Sequence, residues 1–503
     1  MTESVVFRLS SIDQSSTREY IRYALCYPCE SDAASLDSLA IKLSAALKRG
    51  VSYMPILAGK VHPVPTQASS ESNRRHSVAD YPARQYPSIH QRRATLAEDT
   101  HNEQSGQLEV RVTAEEVESI KATFKTLGKD EFPHSYADLT KEGMPPMAFI
   151  GEAFTPLPDA PESLEEGSPV LAVQGNFISG GVIVALYLHH SVVGAAGLGS
   201  LMRCMSISED VLPSRPRMTT EELRDEALEQ SRMRDRLSGS RGYQSSLYEH
   251  PVYSPRADPD RGALTVPSSP SCQVLTFSLP MLNATRDFAN EHFLQINADP
   301  TVRLSLFDCL MAVLWKALTR ARWPPGVARP GQTIALAVPI NVRVSVEPPL
   351  NGSFYGNSDL LTHTTSMLVQ LGMPFDVSTI GNTASNIRKS LSSLTEPKVR
   401  STIAMINECE DLRSLGHPCV DYESDVVITN WADIPVDEET TLGLGLGPAE
   451  WTRKLSREHA SFDCVLLPLG GRNGCEVLIQ LAEPEMQRLL EDTGLQPFLV
   501  GYA

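Results

Sequence analysis

No stretch of the 503 residues approaches the roughly 20 consecutive apolar residues that a membrane-spanning helix needs. The opening segment, MTESVVFRLSSIDQ, has neither the basic region nor the apolar core of a secretory signal, and the closing PFLVGYA carries no organelle address. The expectation is a cytoplasmic protein with no membrane partner. Positive charge is scarce: 44 Lys and Arg stand against 61 Asp and Glu, for a formal net charge of −17. Such a balance argues against nucleic acid or an anionic membrane as partner, and it repels any anionic co-substrate at long range unless a local basic patch receives it. Paired cysteines are also lacking. Nine is an odd number, scattered along a long chain, which fits free thiols in a reducing compartment. Cys26 and Cys29 form a lone CxxC without the second pair that a zinc site needs, so no metal is expected. No P-loop, no Gly-x-Ser-x-Gly elbow and no His-Glu-x-x-His helix occurs, which counts against nucleoside-triphosphate, serine-hydrolase and zinc-protease chemistry.

What is present is an ordinary globular composition, 41% hydrophobic and 21% charged, in a chain too long for one core. The organising stretch is residues 181–204, GVIVALYLHHSVVGAAGLGSLMRC. Val182 to Leu188 reads as a buried strand that ends in His189-His190. Neighbouring side chains on a strand point to opposite faces, so if the strand persists to its end only one of the two rings can face a given cleft. The small residues Gly194 to Gly199 then allow a close backbone approach before a helix begins. Three readings fit these residues: two satisfied histidines at a strand end, a dinucleotide loop, and a general base at a strand end. The spacing Gly194-x-x-Gly197-x-Gly199 is not that of a dinucleotide fingerprint. An imidazole titrates near neutral pH, which suits a base that accepts a hydroxyl proton.

The run LHHSVVGAAGLG resembles the His-His-x-x-x-Asp-Gly motif of the BAHD-type acyl-CoA-dependent acyltransferases, on the fungal branch that includes trichothecene 3-O-acetyltransferase. The motif's catalytic His falls on His190, its Asp on Gly194 and its Gly on Ala195. SLFDCLMAVLWKALTRAR resembles the family's Ser-Thr-x-Asp-x-Leu helix through Asp308 and Trp315. INVRVSVEPPLNGSFYGN resembles its Asn-Val-Arg-x-Arg…Pro-Pro-Leu…Tyr-x-Gly-Asn segment: Asn341, Arg343, Pro348 and Tyr355-Gly356-Asn357 match, while the second Arg is Ser345. Where the family has Asp-Phe-Gly, this chain has Thr441-Leu442-Gly443.

The resemblance implies an α/β fold of two chloramphenicol-acetyltransferase-like domains, each a mixed sheet with flanking helices, with the active-site tunnel at their interface. On that plan residues 1–207 form the N-terminal domain, 208–270 a crossover linker and 271–503 the C-terminal domain. Residues 64–107, rich in Ser, Pro, Gln, Arg and His, read as a flexible insertion carrying the basic cluster RRHS…QRR. The implied reaction is O-acylation of a hydrophobic secondary metabolite by acyl-CoA, acetyl-CoA being the expected donor, with a small-molecule acceptor, a monomeric enzyme and His190 as general base. Thr429 is nominated as a residue lining the acceptor side, and Trp431 as core. Alternatives are a CoA-independent cyclisation, isomerisation or dehydration using His190, or a non-catalytic member. The joint loss of carboxylates at 194 and 441 and of an arginine at 345 suggests that one lost carboxylate was the arginine's partner, since unpaired buried charges are costly.

From the residues themselves we expect a helix over Leu36–Leu47 ended by Gly50, a helix over Ala114–Leu127, and a hairpin of Leu171–Ile178 with Val182–Leu188. A helix over Thr220–Leu237, a strand over Leu361–Leu371 and a strand over Asp425–Trp431 are also expected.

Overall fold

The structure, a computed structural model, describes every residue except 1–2, 31, 66–103, 162, 209, 212–216, 254–269, 297–302, 325–330, 416–424, 457–463 and 469–473. The basic cluster and nearly all of the proposed insertion lie outside the described residues. Gln104, at its far end, donates to the carbonyls of Ile406, Asn407 and Cys409, so this end is tied to the second half of the chain.

The motif strand, Gly181–His189, is the middle of a five-stranded sheet in the order Trp451–Lys454, Tyr20–Pro28, Gly181–His189, Leu171–Ile178, Thr123–Thr126. All nine of its residues are buried, which explains an unbroken apolar run where a one-sided strand would alternate. It forms the expected hairpin with Leu171–Ile178, closed at Ile178 opposite Gly181, and Gly180 takes a positive φ of 80° in the turn. Its other neighbour is Tyr20–Pro28, with Tyr20 opposite His189. Trp451–Lys454 comes from the second half of the chain and pairs antiparallel with Tyr20–Pro28. The second half builds a sheet of Asp359–Met367, Thr333–Asn341 and Val426–Val427. It builds another of Thr429–Asn430, Cys464–Leu466, Gly474–Ala482, Pro270–Ser278 and Leu499–Tyr502. The result is the expected mixed α/β architecture. Among the described residues no helix is long and apolar enough to cross a membrane.

Four expectations need correction. The first long helix runs from Ala33 to Tyr53, through Gly50 and not up to it. Gly50 is a packing glycine: a Cβ there would lie 2.9 Å from both Leu201 and Met205 of the helix that follows the motif. Ala114–Leu127 divides into a helix, Ala114–Ser119, and an edge strand, Thr123–Thr126, which pairs in parallel with Leu171–Ile178. The strand expected at 361–371 covers Asp359–Met367, and a helical turn, Leu368–Leu371, follows it. The strand expected at 425–431 is two short pieces that serve different sheets. Val426–Val427 pairs with Thr333–Asn341, and Thr429–Asn430 pairs with Cys464–Leu466.

The motif strand hands over to the motif helix, Ala195–Ser206. The expected linker helix forms over Thr220–Asp235. It packs beside a short helix, Ser11–Ser15, whose N-cap Ser10 and Asp13 form a reciprocal capping box. Asp13 has a second task. Its fully buried carboxylate pairs with Arg234 of the linker helix, Nε to Oδ2 at 3.0 Å, with the arginine 2% exposed. The other oxygen accepts the Asn357 backbone N–H at 2.8 Å and its side-chain amide at 3.0 Å. One carboxylate thus joins three segments, numbered near 13, 234 and 357.

Breaking one partner out of a buried pair strands the other charge. Asp13→Ala is therefore expected to lower stability by about 3–5 kcal/mol, read from chemical denaturation. A loss below about 1 kcal/mol, the scale of an exposed pair, would show that the junction holds without its carboxylate.

Candidate functional site

The strand stops at His189, so the two histidines are separated by burial and not by alternation along one strand. His189 is fully buried and lies edge-on to Tyr20, ring centroids 5.5 Å apart. Neither of its ring nitrogens has a hydrogen-bond partner among the described residues. Burial, with the nearby His190 and Arg18 adding to it, pushes its pKa down to about 3, so the ring is neutral at working pH. His190 follows the strand end and is only half-buried. Its backbone N–H donates to the Glu19 carbonyl at 2.9 Å. Its own carbonyl accepts the Asn357 side-chain amide at 2.6 Å, the same amide that reaches Asp13. His190 Nδ1 is buried without a partner among the described residues.

The turn after the pair is held closely. His189 O accepts the N–H groups of Val192 at 2.9 Å and Val193 at 3.2 Å, and Ser191 donates to Thr17 O at 3.2 Å. Arg234 reaches the Val192 carbonyl at 3.5 Å. The small residues that follow are explained by what presses on them. A Cβ at Gly197 would sit 2.3 Å from the Tyr355 carbonyl oxygen, and one at Gly199 would sit 2.9 Å from Pro435. The segment 355–357 therefore lies directly on the first turn of the motif helix.

Gly194 caps that helix without a side-chain bond. A Cβ at this position would meet Asn357 Oδ1 at 2.9 Å and Asp359 Oδ2 at 3.3 Å. The space that a motif Asp would enter is already taken by side chains from 357 and 359. None of the nearest atoms comes from Ser345, whose backbone N–H donates to Val342 O at 2.9 Å.

The other substituted motif, Thr441-Leu442-Gly443, docks at the far end of the motif helix. Leu442 and Leu444 are buried in the core, and the Leu442 N–H donates to Ser206 Oγ at 2.8 Å. Gly443 has a positive φ of 64° and lies close to Arg49, whose guanidinium caps the helix by donating to Met205 O at 2.7 Å. Apolar burial and backbone bonds hold this loop in place.

Thr429 is half-buried in its short strand, opposite Val465. It belongs to the segment that carries Asp433, whose charge acts on Asp359. Trp431 lies in the core, edge-on to Tyr23 at 5.5 Å. Asp308 acts as the capping partner of Ser305 and binds Arg388 at 2.5 Å, a structural role within the second half. Sequence reasoning missed Asp13, Arg234 and Asp359. The Ser10-x-x-Asp13 spacing signalled a helix cap, but nothing local signalled the partners of Asp13 on distant segments.

The neutral state of His189 has a stability consequence. In the unfolded chain its ring takes a proton below about pH 6.5, whereas in the native state it resists protonation down to about pH 3. Its contribution is therefore intact above pH 6.5 and is lost as pH falls toward 3, at about 1.4 kcal/mol per pH unit. Denaturant unfolding between pH 7 and 4 should show a shallower pH slope in His189→Phe than in the unaltered chain. Equal slopes would mean that the ring is protonated in place.

Two family profiles match the chain: a trichothecene 3-O-acetyltransferase-like N-terminal domain over residues 20–208, and the Transferase family over residues 279–495. An eremophilane O-acetyltransferase of Penicillium rubens is 22% identical over 98% of this chain and 98% of its own. Trichothecene 3-O-acetyltransferase of Saccharomyces cerevisiae is 24% identical over 56% of this chain and 57% of its own. Among solved structures, F. graminearum TRI101 complexed with ethyl coenzyme A superposes with a TM-score of 0.75 at 18% identity, covering 99% of this chain and 100% of that one. Vinorine synthase superposes with a TM-score of 0.56 at 14% identity, covering 98% and 93%. At these identities the structural likeness is one of fold.

Proposed function

We infer the reaction from the premise that the chain belongs to the BAHD-type acyl-CoA-dependent acyltransferase superfamily, on its fungal trichothecene 3-O-acetyltransferase-like branch. It is an acyltransferase that moves an acyl group, acetyl in the first instance, from acyl-CoA to a hydroxyl of a hydrophobic secondary metabolite. The observation that carries this reading is the state of His190: half-buried at the end of the motif strand, with its carbonyl clamped by Asn357.

Nδ1 of His190 is buried, which leaves Nε2 as the working nitrogen. It takes the proton of the acceptor hydroxyl as the oxygen attacks the thioester carbon. The new C–O bond forms, the C–S bond breaks, and the proton passes from the imidazolium to the departing CoA sulfur. His189, neutral beside it, places no second positive charge against the imidazolium. The clamp on the His190 carbonyl supplies positional precision, and a 1 Å error there costs about 100-fold in rate.

Thr429 lines the acceptor side in this reading, supported by its half-burial and by the approach of its segment to Asp359 through Asp433. Acyl-CoA is a co-substrate and the acceptor a small molecule. Support against a nucleic-acid partner is the −17 net charge.

Thiol release from acetyl-CoA, assayed against a panel of hydrophobic terpenoid and polyketide alcohols, tests the proposal. His190→Ala should lower kcat by about 100- to 10,000-fold with an unchanged melting temperature, and Thr429→Val should raise KM for the alcohol and not for acetyl-CoA. No release with any alcohol, together with no CoA binding, would overturn the assignment.

A further inference from the structure

On one face of the linker helix, Thr220–Asp235, polar side chains are buried where an amphipathic helix ordinarily buries apolar ones. Glu226, Gln230 and Arg234 stand four residues apart and so share a face. They are joined along it: Gln230 Nε2 donates to Glu226 Oε1 at 3.2 Å, and Arg234 Nη1 donates to Gln230 Oε1 at 3.4 Å. Gln230 and Arg234 are buried and Glu226 is half-buried. A buried polar network is costly when incomplete and rigid when every member is satisfied.

This ladder faces the surroundings of His190. Tyr355 donates its hydroxyl to Glu226 at 3.3 Å, and the Arg234 guanidinium lies 5.8 and 5.9 Å from the ring centroids of Phe354 and Tyr355. A Cβ at Gly356 would sit 3.2 Å from Arg234 Nη2, so the backbone of this segment rests against the guanidinium. Arg234 Nε binds Asp13 at 3.0 Å, and Nη2 donates to the carbonyl of Val192, two residues past His190, at 3.5 Å. Asp13 in turn accepts the Asn357 side-chain amide, which also donates to the His190 carbonyl at 2.6 Å. With glycine at 194 and serine at 345, neither of those positions brings a charge to the turn. The linker helix brings one.

We propose that Arg234 is a positioning residue of the active site, holding the His190 turn at two carbonyls: that of Val192 directly, and that of His190 through Asp13 and Asn357. The inference rests on the general-base reading of His190. Two tethers on either side of Ser191 limit rotation of the backbone between them, and that rotation would swing the direction in which the His190 side chain leaves the chain. An error of 1 Å in the placement of a reacting group costs about 100-fold in rate. The linker helix is then a working part of the site and more than a connection between the halves.

Lysine at 234 would keep a positive charge beside Asp13 but replace a planar fork with a single nitrogen, which cannot hold Asp13, Gln230 and Val192 in their three directions. The test compares Arg234→Lys with Arg388→Lys, the same exchange in the Asp308 pair of the second half. Hydrogen–deuterium exchange of the full-length protein, read by mass spectrometry, should be about 10-fold faster in the fragment covering residues 189–194 of Arg234→Lys. It should be unchanged in the fragment covering 305–315. With acetyl-CoA and the most reactive alcohol of the panel, kcat should fall at least about 10-fold, with KM for acetyl-CoA unchanged. Here kcat is taken per CoA-binding site counted by calorimetry, so a role confined to stability leaves it unmoved. Arg388→Lys should leave kcat and the exchange of 189–194 as in the unaltered chain. Unaltered exchange of the turn, or unaltered kcat, in a folded Arg234→Lys protein overturns the proposal. Should that variant fail to fold, Asp13→Asn combined with Arg234→Gln removes both charges and strands neither, and the same two readings decide in the same way. If His190→Ala leaves turnover intact, the general-base reading fails separately, and the exchange of the turn still reports on Arg234.

Discussion

A single buried carboxylate holds the machinery together. Asp13 accepts Ser10 at its own helix cap, Arg234 from the linker helix, and two N–H groups of Asn357. Arg234 and Asn357 stand 221 and 344 residues from Asp13 along the chain, and Asn357 carries the constraint on to the His190 carbonyl. An isolated carboxylate in this setting would be untenable, and so would an isolated guanidinium. Each is stable only while the other is in place. The junction therefore defines where segment 355–357 must lie, and the motif helix has to accommodate it. Gly197 follows from that demand, because any side chain there would collide with the Tyr355 carbonyl.

The two degenerate motifs become intelligible on the same grounds. At the N-terminal end of the motif helix, Asn357 and Asp359 fill the space beside Gly194, so a second carboxylate from residue 194 would crowd one already there. At the C-terminal end, the loop around Gly443 is anchored by Leu442 and Leu444 in the core, while Arg49 satisfies the last carbonyls of the helix. Replacing a buried ion pair with apolar contact removes a desolvation cost, and the fold need not suffer for it. Losing the family residues at 194 and 441 thus left the motif helix fixed at both ends.

Much of this was legible in the sequence, and the boundary has a physical cause. The apolar run Val182–Leu188, the hairpin with its Ser179-Gly180 turn and the His pair are local patterns, and local patterns survive translation into structure. The first long helix was legible as a helix, but Gly50 was misread as its end. A glycine that stops a helix and one that admits a neighbouring leucine look the same along the chain. Thr123–Thr126 joined the first sheet because an edge was open to it, against the helical periodicity of Ala114–Leu127. Asp13 is marked locally only as a helix cap, and Arg234 and Asp359 carry no local mark. Their roles exist only once distant segments meet.

The adjacent histidines show how one backbone can assign opposite duties to identical side chains. His189 turns into the first-half core beside Tyr20, where burial makes a charged ring too costly, and it stays neutral. His190 stands past the last strand residue, where the chain leaves the sheet and meets Asn357 from the other half. In the proposed transfer His190 becomes a cation for part of each turnover, and that state is favoured by having no cation behind it. His189 meets that condition by staying uncharged. Asn357, from the second half of the chain, holds the His190 backbone, so the surroundings of this residue are complete only when both halves are folded together.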